Sequence, residues 1–166
     1  MSSIQPVSKQ FALHSKLFNN VLEGIEDIKG SKRLSERVNH LQWIAGHVTN
    51  SRYRFTAPLG LEMSFPYADC YNDFTQPPPF NRIIDSSVKY PSLTEIKKYW
   101  NELAPVFVER ISGLTAVQLE SESAIAVPTG KSLLDLFSFI ASHESYHIGQ
   151  MSIIRKYLGL SAMSYE

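Results

Sequence analysis

Ser132-Leu-Leu-Asp-Leu-Phe-Ser-Phe-Ile-Ala-Ser-His-Glu-Ser-Tyr-His-Ile-Gly-Gln-Met-Ser-Ile-Ile-Arg-Lys-Tyr-Leu-Gly159 reads as one long helix. Ser132 stands where a side chain caps the first turn, Arg155 and Lys156 complement the negative end, and Gly159 falls where a left-handed residue ends a helix. Leu136, Ile140, His143, His147, Met151, Ile154 and Leu158 recur at three and four. They form one stripe, which predicts that both histidines lie on the buried side.

Upstream, the regular apolar spacing is again helical. Phe11, Leu17, Phe18, Val21, Leu22, Ile25 and Ile28 predict a first helix that Gly30 and Ser31 can end. Leu34, Val38, Leu41, Ile44, Ala45, Val48 and Phe55 predict a second helix beginning at once and closed by Pro58 to Gly60. So short a turn makes these two helices antiparallel neighbours. Pro91-Ser92-Leu93-Thr94-Glu95 has the form of a capping box, and Leu93, Ile96, Trp100, Leu103, Phe107 and Ile111 carry a third helix, with Pro105 inside it.

Residues 57–91 form a long irregular stretch with Pro66, Pro77-Pro78-Pro79 and the aromatics Phe65, Tyr67, Tyr71, Phe74 and Phe80. Loops of that length commonly cover a site or make a crossover. The connection from Gly113 to Lys131 is polar, and neither a strand pattern nor a repeat is visible. The expected architecture is all-α: a four-helix bundle with a long crossover loop between helices 2 and 3, residues 1–166 forming a single domain.

Composition narrows the function. The chain has 166 residues, 43% apolar and 19% charged, and contains no run approaching the ~20 apolar residues of a membrane span. The opening residues lack a basic start followed by an apolar run, so the expected location is the cytoplasm and no membrane partner is expected. Sixteen basic residues balance sixteen acidic ones without a basic run, which argues against nucleic acid. Cys70 is the only cysteine, and nothing near it in sequence marks it as a nucleophile.

The chemistry lies in the histidines. His143 and His147 are one turn apart on one helix face, the separation at which two imidazoles can share a metal ion. The bland reading is a pair of core histidines hydrogen-bonded to backbone or side chains. Against it, two rings stacked on one apolar stripe must satisfy four nitrogens where partners are few. A third ligand could be His14, His40 or His47, and spacing alone does not choose among them.

The motifs also resemble a family. Leu41-Gln-Trp-Ile-Ala-Gly-His47 and Pro58-Leu-Gly-Leu61, with Thr129-Gly-Lys-Ser-Leu-Leu-Asp135, His143-Glu-Ser-Tyr-His-Ile-Gly-Gln150 and Ile153-Ile-Arg-Lys-Tyr-Leu-Gly159, are similar to the DinB/YfiT-like superfamily. That family's Trp-x-x-Gly-His and His-x-x-x-His-x-Gly-Gln motifs are both present. The resemblance implies a four-helix bundle, often a homodimer, holding zinc, nickel or a similar divalent ion through His47, His143 and His147.

Three neutral imidazoles leave an open coordination position, the pattern of a catalytic rather than a structural site. A bound water or a bound thiol could there become a nucleophile. Some members of the resembled family act with low-molecular-weight thiols such as mycothiol and bacillithiol. The expected function is therefore a metal-dependent enzyme on a small-molecule substrate, an S-transferase with a thiol cosubstrate or a hydrolase. The alternative is a metal-binding or stress-related bundle without catalysis. Gln150 could orient a ligand, Gly149 could admit a close approach, Glu144 could support a histidine or act as acid or base, and Arg52 and Arg54 could steer an anion or simply lie on the surface. A competing reading takes His143-Glu144-Ser145-Tyr146-His147 as the His-Glu-x-x-His of a zinc protease, with Glu144 as general base and Glu166 as third ligand.

Overall fold

A computed structural model describes residues 4–71 and 87–165. Among the described residues, six α-helices and one β-hairpin follow in chain order: α1 (Gln5–Leu22), α2 (Asp27–Gly30), α3 (Leu41–Arg54), α4 (Leu93–Ser112), α5 (Ala116–Glu120), β1 (Glu122–Val127), β2 (Gly130–Ser132) and α6 (Leu133–Tyr157). The long helices α1, α3, α4 and α6 make the helical bundle.

Both predicted caps start their helices, the capping box at Ser92 and the cap at Ser132, which the structure extends to a second capping box. Ser92 Oγ accepts from the Glu95 N–H while Glu95 accepts from the Ser92 N–H, and Ser132 and Asp135 repeat the exchange at α6. At the far end of α6, Gly159 has φ +81°, the expected left-handed residue. Pro105 lies inside α4, which runs on through it to Ser112.

The first two helices differ from their expected bounds. α1 stops at Leu22, where Gly24 takes φ +71° and turns the chain away, and α3 does not begin until Leu41. Residues 23–40 between them hold only the single turn α2, with Ile28 85% exposed and Leu34 and Val38 also exposed. The periodicity of these residues continues past a glycine that the backbone uses as a break. The connection is therefore long, and α1 and α3 are not adjacent. Each packs instead against both α4 and α6, placing α1 and α3 across a diagonal of the bundle.

The polar connection before α6 also corrects the expectation of no strand. β1 and β2 pair antiparallel in the register Glu122 to Ser132 and Val127 to Gly130, with an irregularity between, and the hairpin packs on α6. Of the expected crossover loop, the described residues show 3₁₀ turns at Ala57–Leu59 and Ala68–Cys70. Phe74, Pro77 to Pro79 and Phe80 lie outside the described residues.

The core runs the length of the bundle. Phe18, Leu41, Ile96, Trp100 and Met151 fill one end and Phe11, Leu103, Phe107, Leu136 and Phe137 the other, all at most 0% exposed. At about 1.5–3 kcal/mol for each large apolar side chain removed from water, this burial dominates the stability of the helices. No helix among the described residues is long and apolar enough to cross a membrane.

Candidate metal centre

α6 carries the decisive side chains. Its fully buried line is Leu136, Phe137, Ile140, Ala141, Glu144, Ile148, Met151 and Ile154. A carboxylate, not a histidine, thus occupies the centre of the core face. His143 and His147 stand on its shoulder, half-buried, which corrects the expectation that the stripe would bury both.

From that shoulder they meet His47 of α3. His143 Nε2 lies 3.2 Å from His47 Nε2 and 3.1 Å from His147 Nε2, and the three rings each offer a nitrogen within 4.8 Å of the others. Four-coordinate zinc with Zn–N bonds of ~2.05 Å separates its nitrogens by about 3.3 Å, so these donors fit a divalent ion with little movement.

Neighbouring side chains fix the rings. Trp43, one turn before His47, stacks on it with centroids 4.9 Å apart and planes 7° from parallel. Gln150 Oε1 lies 2.8 Å from His147 Nδ1, while the Gln150 amide group donates to the Tyr146 hydroxyl at 2.9 Å. The Tyr146 contact orients the amide so that its oxygen faces His147. Nδ1 then carries the proton and Nε2 is left as a bare lone pair, aimed at the other two rings.

Burial also keeps the rings neutral. It is the main cause that lowers His47 from 6.5 to about 3, helped by His147, His143 and Arg54, and it lowers His147 to about 4, helped by His143. His143 is lowered too, by burial, with Glu144 opposing. All three present lone pairs near neutral pH.

The other two histidines have different tasks. His40 Nδ1 accepts from the Trp43 N–H at 2.9 Å and so caps α3, with its ring edge against Tyr90. His14 belongs to a second buried cluster. Its Nδ1 lies 3.1 Å from Glu144 Oε2, and the Ser145 hydroxyl approaches its Nε2 at 2.8 Å.

Arg52 completes that second cluster. Its Nε and Nη2 donate to the two Glu144 oxygens at 2.7 and 2.6 Å, its Nη1 donates to Ser15 Oγ at 2.9 Å, and its guanidinium lies 3.8 Å from the centre of the Trp100 ring. Both Arg52 and Glu144 are 0% exposed. For Glu144, burial alone would raise the pKa, but the charge and hydrogen bonds of Arg52, with His14, outweigh it and hold the carboxyl below its ordinary value. Arg52 is thus neither a surface residue nor an anion guide. The arrangement does not suit a His-Glu-x-x-His protease, whose glutamate must face the metal-bound water, and Glu166 lies outside the described residues.

Sequence reasoning missed this cluster, although a trace of it was present. Arg52 continues the spacing of Ala45 and Val48, and Glu144 that of Phe137, Ile140 and Ile148. A charge of each sign on an apolar stripe marks a buried pair.

The glycine of Trp-x-x-Gly-His is also explained. A Cβ on Gly46 would lie 1.8 Å from the Tyr71 hydroxyl, so only glycine lets Tyr71 rest on the α3 backbone. A sequence model of the DinB superfamily matches residues 10–151. The chain belongs to the DinB superfamily. The match spans α1 to the last turns of α6 and includes all three clustered histidines, so the family assignment and the site geometry concern the same segment of this DinB-superfamily chain. No curated protein matches it.

Proposed function

We propose that this DinB-superfamily protein holds one divalent metal ion, zinc or nickel, on the Nε2 atoms of His47, His143 and His147, and is a metal-dependent enzyme acting on a small molecule. The observation that carries the reading is the convergence of three imidazole nitrogens at 3.1–3.2 Å. An ion bound there would supply Lewis acidity, lowering the pKa of a water or a thiol that takes its open position.

The chain's own residues prepare that position. Trp43 holds the plane of His47, and Gln150 holds the tautomer and direction of His147. The half-buried setting leaves a path for a small ligand while burial disfavours protonation of the donors. Within this reading the reaction is S-transfer with a low-molecular-weight thiol or hydrolysis, the protein works in the cytoplasm, and it is a homodimer, as the family resemblance implies.

A second reading, metal binding without catalysis, draws support from Glu144. This carboxylate, next in sequence to His143, is fully committed to Arg52 and His14 and cannot serve as an acid or base.

Elemental analysis after expression with zinc and nickel supplied tests the site. We expect about one ion per chain, no ion in His147→Ala, severe loss in His47→Ala and little change in His40→Ala. Metal-free wild-type protein would overturn the proposal. The spectrum of the cobalt-loaded protein separates the two readings. In a Cys70→Ser background, a sulfur-to-metal charge-transfer band on adding a cellular thiol supports the transferase, and an ion without any exchangeable ligand supports the non-catalytic role.

A further inference from the structure

The outer face of α6 differs in kind from that of α4. A helix at the surface of a globular protein usually turns charged residues to water, as α4 does with the exposed Lys98, Glu102, Glu109 and Arg110. From Leu136 to Ile154, α6 has one charged residue, Glu144, and it is fully buried. Its exposed positions in that span are Ser142, Ser145, Tyr146, Gly149 and Ile153, and Tyr157 continues them one turn on. Tyr146 is 63% exposed, Ile153 57% and Tyr157 74%.

Gly149 lies in the middle of this face. A glycine inside a helix weakens it relative to alanine and so calls for a reason. The chain supplies one for Gly46, where Tyr71 rests, but none for Gly149, since a Cβ there would meet no neighbouring element within 4 Å. What a bare backbone at the centre of an exposed apolar face does allow is the close approach of a second helix.

The face is its own complement. Ser142, Tyr146, Gly149, Ile153 and Tyr157 are spaced by four, three, four and four and form one stripe. A two-fold axis between Gly149 and Gln150, running two copies of α6 antiparallel, sets Tyr146 against the partner's Ile153 and Ser142 against the partner's Tyr157. Each pairing then occurs twice. Lys156 is the exposed charge beside the stripe, and the two-fold holds its two copies about 20 Å apart along the helices, beyond the ~8 Å screening length of physiological salt. A parallel pairing would bring them together. At 150–250 Å² for a whole aromatic side chain, Tyr146 and Tyr157 alone offer roughly 200–350 Å² per chain, a large share of the ~800 Å² per partner of a stable interface. Ile153 and the small residues between them add to it.

We propose that a second copy of this chain docks on the outer face of α6, antiparallel about Gly149, and that this contact steadies the histidine site. The link is Tyr146. Its hydroxyl accepts from the Gln150 amide at 2.9 Å, and Gln150 Oε1 lies 2.8 Å from His147 Nδ1. The partner's Ile153 against the Tyr146 ring takes a mostly exposed tyrosine out of water and fixes the chain of contacts that sets the His147 tautomer. The effect on metal rests on the metal-site reading above, whereas the pairing itself does not.

Sedimentation of the full chain in chelator tests the pairing. Wild-type protein at about 100 μM, above the micromolar affinities that even weak interfaces of standard size reach, should be dimeric. Ile153→Glu should raise the dimer dissociation constant at least about 100-fold, about tenfold for each of the two symmetric contacts, with the helical circular dichroism kept. Ile28→Glu, on α2 and 85% exposed in the wild type, should leave it unchanged. A monomeric wild type would overturn the proposal, and so would an Ile153→Glu variant as dimeric as Ile28→Glu, which would assign the homodimer to another face. In a Cys70→Ser background, Gly149→Cys should oxidise to a covalent dimer and Lys156→Cys should not. The reverse ranking would overturn the antiparallel register. Zinc should bind monomeric Ile153→Glu several-fold more weakly than wild type and, by linkage, should tighten the wild-type dimer. Equal zinc affinities would overturn the coupling. Failure of the wild type to bind zinc at all would sink the metal reading, while sedimentation in chelator would still decide the pairing.

Discussion

Two polar clusters share the helices α3 and α6, and they differ in whether the chain completes them. Arg52 of α3 and Glu144 of α6, with His14 and Ser15 of α1, lie at the centre of the bundle, and both oxygens of the carboxylate and all three guanidinium nitrogens have partners. His47 of α3 and His143 and His147 of α6 lie on the shoulder, where three neutral rings turn nitrogens toward one another. The first cluster satisfies itself and fixes α1, α3 and α6 in relation to each other. The second brings the lone pairs of three neutral rings together. A bundle can thus use its costliest buried charges for alignment and leave an adjacent, half-open set of donors for a ligand.

The largest effect should come from breaking the complete cluster. Arg52→Met leaves Glu144 buried without its cation, and urea denaturation should show a loss of about 3–5 kcal/mol, whereas adding Glu144→Leu should recover part of it. A double variant as unstable as the single one would mean that shape, not charge, makes Arg52 matter. The open cluster should respond differently. Gln150→Leu removes the acceptor that orients His147, so divalent-metal affinity should fall roughly 10- to 100-fold while the stability of the metal-free protein barely changes. Calorimetric titration with zinc measures the first quantity and thermal melting in chelator the second. Unchanged affinity would show that ring packing alone positions His147.

How much of this was legible in the sequence depends on the range of each interaction. The capping box at Ser92, the cap at Ser132 and the Gly159 terminus were readable because each involves residues a few positions apart. The bounds of α1 and α3 were not, because Ile25, Ile28, Leu34 and Val38 keep a helical rhythm through a segment that Gly24 diverts, and rhythm alone does not register a positive φ. For the histidines, the i, i+4 pair was evident, but spacing left its third partner open among His14, His40 and His47; only the family resemblance pointed to His47, which the packing of α3 on α6 brings to the pair. Glu144 was the hardest to place. Read by type it belongs outside, and its cation lies 92 residues away on another helix.

Acid should separate the clusters along the pH axis, with the smallest effect per group. An unfolded histidine titrates near 6.5, but folding lowers His47 to about 3 and His147 to about 4, so below pH 6.5 the unfolded chain binds protons that the metal-free folded chain does not. Stability contributed by each ring staying neutral is complete above pH 6.5 and is lost as pH falls toward the folded value, with a slope of at most ~1.4 kcal/mol per pH unit per group. Glu144 acts in a lower window. Its folded pKa lies below the ordinary 4.5, so the stability it gives is present above 4.5 and is lost only as pH falls below that. Denaturation of metal-free protein at several pH values should therefore show a first decline between 6.5 and 4.5, shared with the buried cap His40, which is lowered to about 4. His47→Ala should make that decline shallower by about one group and leave the fall below 4.5 intact. If His47→Ala leaves the upper slope unchanged, His47 is not held neutral by burial, and the contrast between a self-sufficient charged cluster and a neutral cluster awaiting a cation fails.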